Sequence, residues 1–126
     1  VESPDLDNLV TYEELVSRTR EIVLTSIPVA HEAILRMEES MLADEKTPTT
    51  ADYIYEVAAN LFESFVDNGD DESLAAFLRM SERLLALGSG LVTETVEVYI
   101  AKNLRRNHPY LIRQAGPLLQ ALAADR

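Results

Sequence analysis

Leu91-Val92-Thr93-Glu94-Thr95-Val96-Glu97-Val98-Tyr99-Ile100-Ala101-Lys102-Asn103-Leu104-Arg105-Arg106 decides the fold, because it reads in two ways. Val92, Val96, Val98 and Ile100 stand at even spacings, as on a strand with one buried face, and β-branched residues favour strands. Val92, Thr95, Val96, Tyr99, Ile100 and Leu104 stand equally well at the threes and fours of a helix. A strand must pair its ladder amides with a neighbour, and the remainder of the chain offers it none. The stretch therefore reads as a helix, and the fold class as all-α.

Upstream, Leu74, Phe77, Leu78, Leu84 and Leu85 define another helix, with Gly88 placed to end it in a left-handed conformation. Before it, Asp67-Asn68-Gly69-Asp70-Asp71-Glu72 combines turn residues with carboxylates that suit the exposed amides of a helix start. Ile54, Val57, Ala58, Leu61, Phe62 and Phe65 form the clearest apolar stripe of the chain, behind a cap at Thr49 or Thr50. Thr11-Tyr12-Glu13-Glu14 has the form of a capping box, followed by Leu15, Val16, Thr19, Ile22 and Val23 on one face. Pro28 suits the first turn of a second helix carrying Ala30, Ala33, Ile34, Met37 and Met41 and ending near Leu42. Downstream, Asn107-His108-Pro109 opens a last helix through Leu111, Ala115, Leu118, Leu119 and Leu122, which Gly116-Pro117 should kink or split.

About six helices with short connections group as three antiparallel hairpins, repeating at about 40 residues, near the HEAT-type length. No letters repeat between the hairpins, so a short α-solenoid and a compact helical bundle both remain open. The expected core is Ile22, Ile34, Val57, Leu61, Phe62, Phe65, Phe77, Leu78, Leu84, Ile100 and Leu118. At 126 residues, 47% hydrophobic, the chain has the size of one domain spanning 1–126.

Composition narrows the function. There is no cysteine, so disulfides, thiolate metal sites and cysteine nucleophiles are excluded. The net charge of −11 opposes binding to a phosphate backbone, which sets nucleic acid aside as a partner. Charged residues interrupt every apolar run before the roughly 20 residues a membrane helix needs. With no basic segment followed by an apolar run in view, a soluble cytoplasmic protein is expected.

Nor does a catalytic motif emerge. His31-Glu32 begins like a metalloprotease helix, but Leu35 stands where the second histidine belongs. A di-iron arrangement of Glu32, Glu38, Glu39 and Glu63 lacks the required Glu-x-x-His pairs. An EF-hand counted from Asp67 would put Leu78 where the bidentate carboxylate stands. His108 beside Pro109 fits a helix start. We expect no enzyme, metal or cofactor.

Charge asymmetry carries more information. Residues 1–73 hold 18 acids and 4 bases, while residues 74–126 hold 4 acids and 7 bases. A solvated surface can look like this, yet several like charges on one side of a small domain also steer a basic partner. The candidate binding residues are Glu38, Glu39, Asp44 and Glu45, then Asp67, Asp70, Asp71 and Glu72, with Tyr53 and Tyr55 as hot-spot tyrosines among them. Tyr53 and Tyr55 cannot both lie in the stripe of Val57, so one of them is expected to be exposed. Neutralising either acidic group should leave the fold intact. The alternative is a self-associating scaffold, possible as a homodimer, through a spare face of Val98, Tyr99 and Leu111.

The segments Val96-Glu97-Val98-Tyr99-Ile100-Ala101-Lys102-Asn103-Leu104 and Ala115-Gly116-Pro117-Leu118-Leu119, with the acid-rich earlier helices, carry a resemblance. The chain resembles the small acidic all-helical immunity proteins of bacterial toxin systems, some of them built from HEAT-like hairpins. It departs from them in lacking a large aromatic near Leu118 to Leu122. The resemblance implies stoichiometric neutralisation of a basic toxin, with no chemistry by this chain.

Overall fold

Thr11 starts the first helix as its setting suggests. Its hydroxyl accepts the Glu14 amide at 3.0 Å, and the Glu14 carboxylate accepts the Thr11 amide at 3.4 Å. In a computed structural model that describes residues 11–124, this α1 runs Tyr12–Ser26. Helix α2 is Ala30–Ala43. Pro28 lies ahead of α2 and not in its first turn, because the Ala30 amide donates to the Ile27 carbonyl at 2.9 Å and closes a turn over buried Ile27.

Of the two possible caps for α3 the structure uses Thr49, whose amide and hydroxyl donate to Asp52 at 2.8 and 3.0 Å. In return Thr49 accepts the Asp52 amide at 3.2 Å. Helix α3 joins a π-helical Asp52–Ala59 to an α-helical Asn60–Asp67. Gly69 then turns the chain at φ 62, a left-handed value that costs glycine nothing. Asp70 caps α4, Asp71–Leu85, by accepting the Ser73 amide at 3.1 Å and its hydroxyl at 2.7 Å. Beyond α4, Gly88 is left-handed as expected, with φ 72.

The ambiguous stretch is helical throughout. Helix α5 comprises Gly90–Val96, a π-helical Glu97–Ala101 and Lys102–Asn107, with the Ser89 hydroxyl accepting the Val92 amide at 3.3 Å. Gly116-Pro117 splits the last helix into α6, Pro109–Ile112, and α7, Pro117–Ala124. The described residues thus form seven helices and no strand.

Helix α4 occupies the middle. Eight of its residues, from Leu74 to Leu85, are buried, which follows from its packing against α1, α3, α5 and α7 together. The helices pair as α1 with α2, α3 with α4, and α5 with α6 and α7. The middle pair touches both outer groups, which share no extended contact with one another. One apolar core runs from Ile22 to Ala123.

Two expected core positions differ. Leu61 is only partly buried, standing at the edge of a stripe whose buried members are Ile54, Val57, Ala58, Phe62 and Phe65. Leu118 is 45% exposed and Leu119 takes its place at 0%, since the break at Gly116-Pro117 resets the helical phase.

Candidate functional site

The buried positions of α3 are Tyr53, Ile54, Val57, Ala58, Phe62 and Phe65. Its opposite side presents Tyr55, Glu56, Asn60, Glu63 and Asp67 to solvent. Just before α3, Asp44 and Glu45 are exposed at the end of α2, where Glu45 takes a left-handed φ of 58. Just after it come Asp67, Asp70 and Asp71, also exposed. Asp44 lines a groove with Asp52 and Glu56 of α3, and Glu63 lies further along the helix toward Asp67 and the acids that follow it.

Most of the sequence-predicted residues are on the surface, namely Glu39, Asp44, Glu45, Tyr55, Asp67, Asp71 and Glu72. Glu72 lines a recess with Ser26, Pro28 and Arg79, toward the turn between α1 and α2, and so stands apart from the track along α3. Two others, Glu38 and Tyr53, bond to each other within the fold, which corrects their assignment to a binding surface, while Asp70 is exposed and also caps α4.

Glu38 faces inward from α2. Its Oε2 accepts Arg20 Nε at 2.6 Å and the Tyr53 hydroxyl at 2.5 Å, while Oε1 accepts Arg20 Nη2 at 3.2 Å. Tyr53 itself is 3% exposed. The hydrogen bond from Arg20 holds the Glu38 carboxyl below its ordinary range against the opposing effect of burial, and Tyr53 adds to the lowering. Burial and then the bond to Glu38 push the Tyr53 phenol above its ordinary range. These three residues tie α1, α2 and α3 together. Asp70, at the surface, is a helix cap whose carboxyl is held low by the Ser73 hydroxyl and amide.

Tyr55 is the exposed member of the tyrosine pair, at 44%. It stacks on Tyr99 of α5, with ring centroids 4.6 Å apart and planes tilted by 36°. Both rings stand on π-helical segments, which pack against each other. Two turns along, Glu63 accepts Asn103 Nδ2 at 3.0 Å, a second bridge between α3 and α5. On the other flank of α3, Met37, Met41, Asp44, Asp52 and Glu56 line an open groove of about 470 Å³, shared with Arg36 and Lys46.

Sequence reasoning missed Glu56 and Glu63 as members of the track. The signal was available in the polar positions opposite the apolar stripe of α3. The spare apolar face also fails as drawn: Val98 is 46% exposed, but Leu111 is 2% exposed and Tyr99 is covered by Tyr55. His108 packs edge-on to Phe62, at 5.3 Å between centroids, and so lies against the core.

Among the described residues no group of three or more histidine or carboxylate side chains is placed to hold a metal ion. No helix among them is long and apolar enough to cross a membrane. Comparison with protein-family models, with curated proteins and with solved structures returns no match.

Proposed function

We propose that this chain is a non-enzymatic protein-binding module that presents the acidic track along α3 to a basic protein. The observation that carries the reading is the run of exposed carboxylates Asp44, Glu45, Glu56, Glu63, Asp67 and Asp71, with exposed Tyr55 among them. Carboxylates on one side of a small domain set up a field that speeds encounter with a basic partner. A tyrosine among them supplies contact area that loses little entropy on binding. Together with the resemblance to immunity proteins, this makes a basic toxin the proposed partner and the cytoplasm the proposed location.

The test is capture of a partner from the source organism at low and high salt. A variant with Glu39, Asp44, Glu45, Glu56, Asp67 and Asp71 neutralised serves as the control, leaving Glu38 and Asp70 in place. The reading requires a basic protein retained by the wild type at low salt and lost by the variant. A second reading, self-association, draws on Leu35 and Leu42, which leave apolar surface two turns apart on α2 at 47% and 74% exposure. The mass in solution separates the two.

A further inference from the structure

We infer that a groove between α4 and the connection from α6 to α7 is a second binding site, which takes a short extended segment of a partner protein carrying a carboxylate beside an apolar side chain. The site shares no residue with the acidic track of α3 and stands whether or not that track binds a basic protein. Leu78 and Ala86 of α4 and Gly116 of the connection line the groove, whose volume is about 370 Å³. It follows α4 from Leu78 to Ala86, about 12 Å at a helical rise of about 1.5 Å per residue, a length that an extended chain covers in three or four residues. Arg79 and Arg83, one turn apart on α4 and both exposed, border it. Neither pairs with a carboxylate among the described residues. Arg83 Nη1 donates to the hydroxyls of Thr25 and Ser26 at 3.0 and 2.7 Å, which holds the arm in place and leaves its other donors for a ligand.

The groove also holds one carboxylate, Glu82, which is directed at α7. Its two oxygens accept the amides of Leu118 and Leu119 at 2.8 and 3.0 Å, at a helix N-terminus whose dipole offsets its charge. The arginines therefore set the sign of the groove, which is positive in a chain of net charge −11. A guanidinium meets a carboxylate with two parallel hydrogen bonds, so two of them one turn apart favour an acidic segment and repel a basic one. A carboxylate alone would leave Leu78, Ala86 and Gly116 uncovered, and an apolar side chain next to it removes that surface from water. Gln114, exposed at the rim, carries an amide that both donates and accepts, as pairing with an extended backbone requires.

The probes are three capped hexapeptides: one of alternating leucine and glutamate, a second with glutamine in place of glutamate, and a third with serine in place of leucine. They are titrated into the protein at about 0.15 M salt, where the Debye length is about 8 Å and acids farther away than that repel the probe little. The NMR signals of the Gly116 amide and of Arg79 and Arg83 Nε report occupancy of the groove. The leucine–glutamate peptide should shift all three signals, and each of the other two should bind at least about 10-fold more weakly. Arg79→Gln should weaken the first peptide about 10-fold, the scale of one hydrogen bond to a charged group, and remove its preference over the glutamine peptide. Ala86→Glu, at an exposed position, puts a negative charge in the groove and should weaken it similarly, which covers the case in which the Arg79 variant folds poorly. No shift at Gly116 with the first peptide, equal binding of the glutamine peptide, or wild-type affinity in both variants would overturn the site. None of these results bears on the acidic track of α3.

Discussion

Removing one oxygen from Tyr53 separates a structural role from a binding role. The hydroxyl donates to Glu38 at 2.5 Å, and the same carboxylate oxygen accepts Arg20 Nε at 2.6 Å. Tyr53→Phe keeps the ring and opens no cavity, so its cost is the hydrogen bond alone. A bond to a charged group contributes about 1.5 to 3 kcal/mol, and the partly exposed side chains of Arg20 and Glu38, at 34% and 25%, argue for the lower end. In a domain of this size about 1.5 kcal/mol lowers the thermal midpoint by roughly 5 to 9 °C. Urea unfolding should show a lower midpoint at an unchanged slope. An unchanged midpoint together with weaker partner binding would refute this assignment and return Tyr53 to the surface. The pH dependence has a definite sign. The Glu38 carboxyl titrates below its ordinary 4.5 in the folded protein, so its contribution is fully present above that pH and is lost as the pH falls through the depressed value. The stability gap between wild type and Glu38→Gln should accordingly close in acid.

Glu82 reaches from α4 to accept the amides of Leu118 and Leu119 at 2.8 and 3.0 Å, capping α7, so Glu82→Ala should cost about 1 kcal/mol by urea unfolding. Gly116→Ala should destabilise as well, since a Cβ there would lie 2.5 Å from Glu82 Cδ and push the cap away. Phe62, 2% exposed and 4.6 Å from the ring of Phe77, should cost about 3 to 5 kcal/mol as alanine, whereas half-buried Leu61 should cost clearly less. Equal losses at the two positions would show that Leu61 belongs to the core as fully as Phe62. At the start of α4, Asp70→Ala should cost about 1 kcal/mol and Asp70→Asn only a few tenths, because asparagine caps nearly as well. A circular-dichroism melt of each variant decides it.

The fold class was legible because helix signals act locally. The capping box at Thr11, the cap at Asp70 and the left-handed Gly88 sit where the letters place them. The uncertainty at residues 91–106 comes from β-branched residues: the even spacing of Val92, Val96, Val98 and Ile100 overlaps the threes and fours on which Val92, Thr95, Val96, Ile100 and Leu104 are buried in α5. In α3 the expected stripe holds except that Leu61 stands at its edge, and Tyr53 is buried beside Ile54. The candidate site was legible in sign but not in membership. Charge counting finds the acids, yet Glu38 owes its role to Arg20, eighteen residues away, and Tyr55 owes its setting to Tyr99, which is more distant still. Such pairings depend on how helices dock and leave no mark on local periodicity.

The association rate of the chain with its basic partner, followed by stopped flow between about 0.05 and 0.5 M salt, tests the central claim most directly. With Glu39, Asp44, Glu45, Glu56, Asp67 and Asp71 neutralised and the melting temperature unchanged, the rate at low salt should fall and its dependence on salt should flatten. Neutralising Glu94, an exposed acid on α5, should matter less. A rate indifferent to both salt and these substitutions, or a stable dimer with its carboxylates turned away from the interface, would contradict the account.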